Sequence, residues 1–306
     1  MKDNKQLFAH LSVLSANLIY GANYTIAKGV MPEFIQPFGF IFIRVTITAL
    51  IFILIDDLLF TRKRQKVENK DKFRLALCAL FGIAINQLLF FKGLSITSPI
   101  NAALIMTTNP IMVLIVAGIL IREKVSTRKV TGIFIGIAGA VSLILFGKHF
   151  AFNNGDIRGD ILVLINSLSF GVFLIIVKPM MQKYRPITVM KWIFLFGSFY
   201  VIPFGYDEFK NVNFSGFPTH IWLSVAYVVI ATTSVVYLLN SFALKNLSPS
   251  NVSSYIYLQP VFATAFAIAL GKDNLHVLHV VSSLLIFFGV YLVSSASSNK
   301  VQAKKS

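Results

Sequence analysis

The chain repeats itself at a spacing of 150 residues. Tyr20-Gly21 falls on Phe170-Gly171, Lys28 on Lys178, Ser98-Pro99 on Ser248-Pro249, Asn101 on Asn251, Pro110 on Pro260 and Gly139 on Gly289. One register serves nearly end to end, so the chain is a duplicated unit of five apolar segments. Five is odd, so a second copy following the first crosses a membrane in the opposite sense. Two inverted halves about a pseudo-two-fold axis in the membrane plane form an architecture that many secondary transporters share, with the solute site between the halves.

Composition agrees with a membrane chain. Of 306 residues 56% are hydrophobic, the mean hydropathy is +0.74, and apolar runs leave no polar surface for a soluble domain. A spanning helix needs about 20 apolar residues. The runs predict ten, near 8–28, 35–57, 73–93, 98–121, 129–147, 159–178, 188–206, 219–243, 248–271 and 276–297. The expected fold class is an all-α polytopic membrane protein of ten transmembrane helices in two inverted five-helix repeats. The first repeat covers 1–147, an external linker 148–158, the second repeat 159–297 and a cytoplasmic tail 298–306, all within one integral membrane domain. The linker, with Asn153-Asn154-Gly155-Asp156, reads as turn chemistry. The small, polar end Ser294–Ser306 is expected to be disordered. The opening segment carries His10, Ser12, Ser15, Asn17 and Asn23 and reads as a retained span rather than a cleavable signal.

The net charge of +16 suggests nucleic acid until its placement is considered. With alternate loops assigned to alternate sides, 21 of the 28 Lys and Arg lie on the side of the N-terminus and 6 on the other, with Arg44 inside a span. The dense run is Arg62-Lys63-Arg64 with Lys66, Lys70, Lys72 and Arg74. The positive-inside rule then places both termini in the cytoplasm, in a cell inner membrane. Short loops offer no groove-reading face, which argues against nucleic acid. The basic stretch around Thr61–Lys72 could instead lie on anionic lipid headgroups. Cys78 is the single cysteine, so neither a disulfide framework nor a cysteine metal site is available within the chain.

Enzyme motifs are missing: there is no G-x-S-x-G, no H-E-x-x-H and no phosphate-cradling loop. His276 and His279 stand three apart near Asp273, but an isolated pair at a membrane surface is more often a polar interface than a metal site. No cofactor and no metal are expected. Asp56, Asp57, Glu123, Asp160 and Asp273 all fall near span ends, so no carboxylate at mid-bilayer offers itself for proton coupling.

Arg44 does lie mid-membrane, and its repeat mate is Phe194. It reads either as an anchor for a carboxylate or phosphate or as a structural donor to freed carbonyls or a neighbouring helix. Polar residues concentrate on spans 1, 3, 4, 6, 8 and 9. Singly each is more often interhelical glue; together they argue for a polar cavity. The candidate substrate-binding residues are Asn23, Tyr24, Arg44, Asn86, Gln87, Thr107, Asn109, Asn166, Tyr237, Tyr257 and Gln259. Asn109-Pro110 and Gln259-Pro260 stand about 18 Å into the fourth and ninth spans, near the bilayer centre. Each proline removes a backbone hydrogen bond and frees a carbonyl one turn earlier, which makes Pro110 and Pro260 hinge candidates. Gly132 and Gly136 on the fifth span form a small-xxx-small face, read as packing within the chain, with a homodimer face the lesser reading.

The chain resembles the EamA-type members of the drug/metabolite transporter superfamily. The resemblance rests on Asn17–Lys28, Phe42-Ile43-Arg44, Ala102–Pro110, Arg122-Glu123-Lys124 and Gly132–Gly139, echoed by Gln259-Pro260, Lys272-Asp273 and Gly289. It implies a central crevice lined mainly by helices 1, 3, 4, 6, 8 and 9, and carriage of amino acids, other small metabolites or drugs, often outward. The expected function is a secondary transporter that exports a small amphiphilic metabolite, amino-acid-like or drug-like, by alternating access; its partners are that solute and the lipid bilayer. The alternatives are a lipid or lipid-linked-sugar flippase on the same scaffold and, behind it, a membrane-embedded enzyme.

Overall fold

The computed structural model describes residues 2–59, 65–97, 102, 105–122, 126–146, 157–269 and 277–302. Among these residues the fold is entirely helical: α1 (Lys2–Val30), α2 (Pro37–Leu59), α3 (Asn69–Ile96), α4 (Asn109–Ile121), α5 (Thr127–Phe146), α6 (Ile157–Lys183), α7 (Pro186–Lys210), α8 (Thr219–Asn246), α9 (249–269) and α10 (Val277–Gln302). Six of them (α2, α3, α6, α7, α8 and α10) are each long and apolar enough to cross a membrane. Helices are the natural solution here, because lipid offers no partner to an exposed backbone N–H or C=O.

The helices pair as an inverted repeat requires. α2 packs along α7 and α5 along α10, each helix against its own repeat mate, while α3 and α4 flank α6 as α8 and α9 flank α1. Close approach sets the α5–α10 contact. A methyl group on Gly289 would stand 2.6 Å from the Gly132 carbonyl oxygen, and one on Gly139 would stand 2.8 Å from the Ser282 carbonyl oxygen. A shift of 150 converts one contact into the other, since Gly132 corresponds to Ser282 and Gly139 to Gly289. Between helices in lipid the attraction is largely van der Waals packing, which small residues maximise. The Gly132–Gly136 face is thus occupied within the chain.

Two helices carry π segments at repeat-equivalent places, Leu80–Ile85 in α3 and Tyr227–Val235 in α8. Such segments loosen the helical ladder, and local hydroxyls take up the loosened carbonyls. Ser169 Oγ donates to Phe81 O at 2.7 Å and Tyr237 Oη to Gly82 O at 3.2 Å. In α8, Thr233 Oγ1 donates to Val228 O at 2.7 Å and Ser234 Oγ to Val229 O at 3.0 Å. π segments of this kind frequently mark functional sites.

Each proline stands in the first turn of a regular α-helical run. Before Pro110 the chain makes a turn at Thr107-Thr108, and α4 restarts at Asn109. Before Pro260 the helix tightens into a 3-10 turn over Tyr255–Tyr257. Proline in the first turn of such a run loses no hydrogen bond, so irregular backbone just before it satisfies the backbone better than a bend. Ser248 caps α9 by accepting from Asn251 N at 3.2 Å; its mate Ser98 lies outside the described residues, as do the turn residues 153–156. The expectation of a disordered end is corrected in part. α10 continues through Ser294 to Gln302, a stretch without glycine or proline to stop it.

At the basic end of the bundle the halves are tied by charge. Lys183 Nζ meets Glu68 Oε1 at 2.5 Å and Asp71 Oδ2 at 2.6 Å, and Tyr184 Oη donates to Asp71 Oδ2 at 2.7 Å. Hydrogen bonding from Lys183, then from Lys70, holds the Glu68 carboxyl below the usual carboxylate range. Deeper in, Asp56 on α2 pairs with Lys191 on α7 and accepts from Thr188 Oγ1 at 3.1 Å.

Candidate functional site

A cavity of about 110 Å3 lies among α1, α3, α4, α6, α8 and α9, with Arg44 entering from α2. A single water needs only about 10–15 Å3 on a comparable measure, so a small solute fits. The cavity is built around the pseudo-two-fold axis. Gln87 Nε2 donates to Tyr237 Oη at 2.9 Å, and these residues are repeat mates. Further mates both line the cavity: Tyr20 and Phe170, Phe90 and Asn240, Met106 and Ile256, and Asn109 and Gln259.

Eight of the candidate residues line it: Asn23, Arg44, Asn86, Gln87, Asn109, Asn166, Tyr237 and Gln259. Thr107 is buried in the turn before α4 but outside the lining. Tyr257 is fully buried away from the cavity, its ring filling the space beside Gly136 of α5. The side chain of Tyr24 lies outside the described residues. Pro110 and Pro260 flank the cavity through their neighbours Asn109 and Gln259 without lining it. Lining residues outside the candidate set include Asn17, Tyr20 and Asn240. Their signal was helical spacing, since Asn17, Tyr20 and Asn23 recur every three residues and Asn240 stands three after Tyr237. Phe90, Phe91, Phe170, Met106, Val252 and Ile256 supply apolar wall that nothing local distinguishes from lipid-facing residues.

The polar side chains are held by a defined network. Gln259 Nε2 donates to Asn17 Oδ1 at 2.9 Å, and Asn17 Nδ2 to Val13 O at 2.7 Å. Asn166 Nδ2 donates to Asn86 O at 2.7 Å. Tyr237 Oη gives its one hydrogen to Gly82 O and so can only accept from Gln87, which fixes the Gln87 amide with its oxygen turned away. The amide oxygens of Asn23, Gln87, Asn109 and Asn166 are buried and have no hydrogen-bond donor among the described residues. An unmatched buried acceptor costs about 1–3 kcal/mol, so these four set a stability cost within the polar packing around the cavity.

Arg44 is 4% exposed. Its Nε donates to Thr233 Oγ1 at 3.0 Å, and its guanidinium carbon stands 4.8 Å from the centre of the Phe91 ring. Among the described residues no carboxylate pairs with it. No group of three or more His, Cys, Asp or Glu positioned for a metal occurs among the described residues. His276 lies outside them. His10, near the start of α1, bonds through Nδ1 to Tyr255 Oη at 2.7 Å, tying α1 to the 3-10 turn of α9.

Comparison with known proteins gives a consistent result. The EamA-like transporter family matches twice, over residues 7–145 and 157–295. The uncharacterized transporter YyaM of Bacillus subtilis (strain 168) is 25% identical over 292 residues, covering 95% of this chain and 94% of that protein. An uncharacterized transporter of Archaeoglobus fulgidus is also 25% identical, over 94% of this chain and 97% of its own length. A crystal structure of a protein with 16% sequence identity superposes with a TM-score of 0.71, covering 93% of this chain and 97% of the other. At that identity the likeness is one of fold.

Proposed function

Because this chain belongs to the EamA-like transporter family, we propose that it is a secondary transporter that moves a small amphiphilic metabolite outward across the inner membrane by alternating access between its inverted repeats. The observation that carries the reading is the central cavity, bounded by repeat mates from both halves and combining amide, aromatic and cationic walls. A site on the pseudo-axis belongs equally to both halves, so rocking one against the other exchanges which side it faces. The turn before Pro110 and the 3-10 segment before Pro260 are points at which each helix departs from regular geometry, and the π segments, one beside Gln87 and one containing Thr233, supply loosened helix where the cavity wall must shift.

Inverted membrane vesicles with and without the chain, loaded against a metabolite panel under imposed ion gradients, test this. The expected result is solute movement that requires the chain and no ATP; no movement of any solute overturns it. With both termini in the cytoplasm, a reporter after Ser306 should read as cytoplasmic and one near Asn154 as external.

The paired prolines carry a sharper expectation. Pro110→Ala and Pro260→Ala each restore a backbone donor and favour a continuous helix on one side of the cavity. Since the two helices run in opposite senses, the variants should shift the access equilibrium in opposite directions. Labelling of single cysteines placed at Met106 and Ile256, repeat mates that both line the cavity, in a Cys78→Ser background and from each side, reads this. Identical shifts, or none at full transport rate, would make the prolines packing features.

A further inference from the structure

The geometry points to a monoanionic solute, an organic carboxylate seated on Arg44, and this inference rests on the transporter reading above. Among the described residues Arg44 is the only charged one lining the cavity, it is more than nine-tenths buried, and it has no carboxylate partner. A charge withdrawn from water without a counter-charge is strongly disfavoured, and an arriving anion relieves it. The side chain is also held in position to receive one. Thr233 Oγ1 gives its hydrogen to Val228 O and accepts from Arg44 Nε, while the Phe91 ring covers one part of the guanidinium. With Nε engaged, the terminal nitrogens remain, and their parallel N–H bonds match the two oxygens of a carboxylate.

Charge balance selects the class. One fixed positive charge is neutralised by one negative charge, whereas a phosphate dianion would bring a second that nothing in the lining meets. An amine without a carboxylate would place like charges together in a low-dielectric site. The remaining surface sets one further requirement: Phe90, Phe170 and Ile256 call for an apolar body. Thr233 is then a positioning residue: it touches Arg44 and holds the fork without touching the solute.

The test uses purified full-length protein in phospholipid nanodiscs and thermal-shift titration with matched triplets of small amphiphiles. Each triplet shares one body and carries a carboxylate, a primary amide or a primary amine; 3-phenylpropionate, 3-phenylpropionamide and 3-phenylpropylamine form one triplet, and aliphatic and amino-substituted bodies form others. The expected result is saturable stabilisation by carboxylates alone. Arg44→Gln should weaken it at least about 30-fold, as removal of one partner of a buried charge pair does. Arg44→Lys, which keeps the charge and loses the fork, should fall between, and Thr233→Val should weaken carboxylate binding while Thr233→Ser, which keeps the hydroxyl between Val228 O and Arg44 Nε, should bind as the parent does. Should Arg44→Gln fail to fold, the Lys and Val variants still decide. Equal stabilisation by amide or amine, no stabilisation by any carboxylate, or carboxylate binding unchanged in the Gln, Lys and Val variants overturns the inference. Chain-dependent movement of amines or neutral solutes in vesicles would overturn it while leaving the transporter reading standing; movement of no solute at all would remove that reading instead.

Discussion

Gly289→Ala is expected to abolish most of the folded protein. The added methyl would stand 2.6 Å from Gly132 O and 2.6 Å from Gly136 N, both backbone atoms on the facing helix, so no side-chain rotation relieves it. Only separation of α5 from α10 does, and the packing of these two helices is one of the two contacts in which a helix of each repeat grips its mate. Overpacking of this kind costs about 1–3 kcal/mol where a core can adjust and more where backbone meets backbone. The control is Gly118→Ala on α4, where a methyl meets nothing within 4 Å and helix propensity alone predicts a gain of up to about 1 kcal/mol. Fluorescence-detected size-exclusion chromatography after heating compares the two. Equal recovery of both variants would show that α5 and α10 need not approach so closely.

Lys191→Met should destabilise nearly as much, for an electrostatic reason. Asp56 has a side chain only 4% exposed and depends on Lys191 for its counter-charge, with Thr188 giving one further hydrogen bond. Breaking a buried pair by removing one partner typically costs about 3–5 kcal/mol, because the remaining charge is stranded. Lys191 is 17% exposed, which lets some water reach the stranded carboxylate and sets the expectation at about 3 kcal/mol. The double variant Asp56→Leu with Lys191→Met strands no buried charge, since the other carboxylate near Lys191, Asp57 at 3.6 Å, is partly exposed, and it should recover most of the loss. A double variant as unstable as the single would mean that the loss comes from packing on the lysine stem and not from the unpaired carboxylate. The pair ties α2 to α7, so this readout is independent of the α5–α10 contact.

Much of this architecture was readable before any coordinates. The 150-residue register implies two copies of a five-helix unit, and the apolar runs imply spans, because each is long enough for the bilayer and lipid tolerates little else. Gly132 and Gly136 were legible as places of close approach, since only small residues let helices in lipid meet backbone to backbone. Polar residues inside apolar runs were legible as inward-facing, and Asn23, Asn86, Gln87, Asn109 and Asn166 do stand around one cavity. Tyr257 shows the limit of that argument. Its hydroxyl and position resemble those of Tyr237, yet its ring turns to the gap beside Gly136. A period of 3.6 residues gives the face of a straight helix, and the 3-10 turn at Tyr255–Tyr257 rotates that face by an amount no pattern records.

Sequence by itself determined the class of structure, the duplication and its inverted sense, because these follow from the length, order and parity of apolar segments. Only the tertiary structure decided that Gln87 and Tyr237, repeat mates 150 residues apart, touch each other across the axis. It also decided that α3 and α8 carry π segments at matching places, and that Arg44 meets a hydroxyl and a ring but no carboxylate among the described residues. The physical reason is the same in each case. Burial and periodicity are local properties that the chain writes into itself, whereas the partner of a buried polar group is chosen by whichever helices the global packing brings within about 3 Å of it.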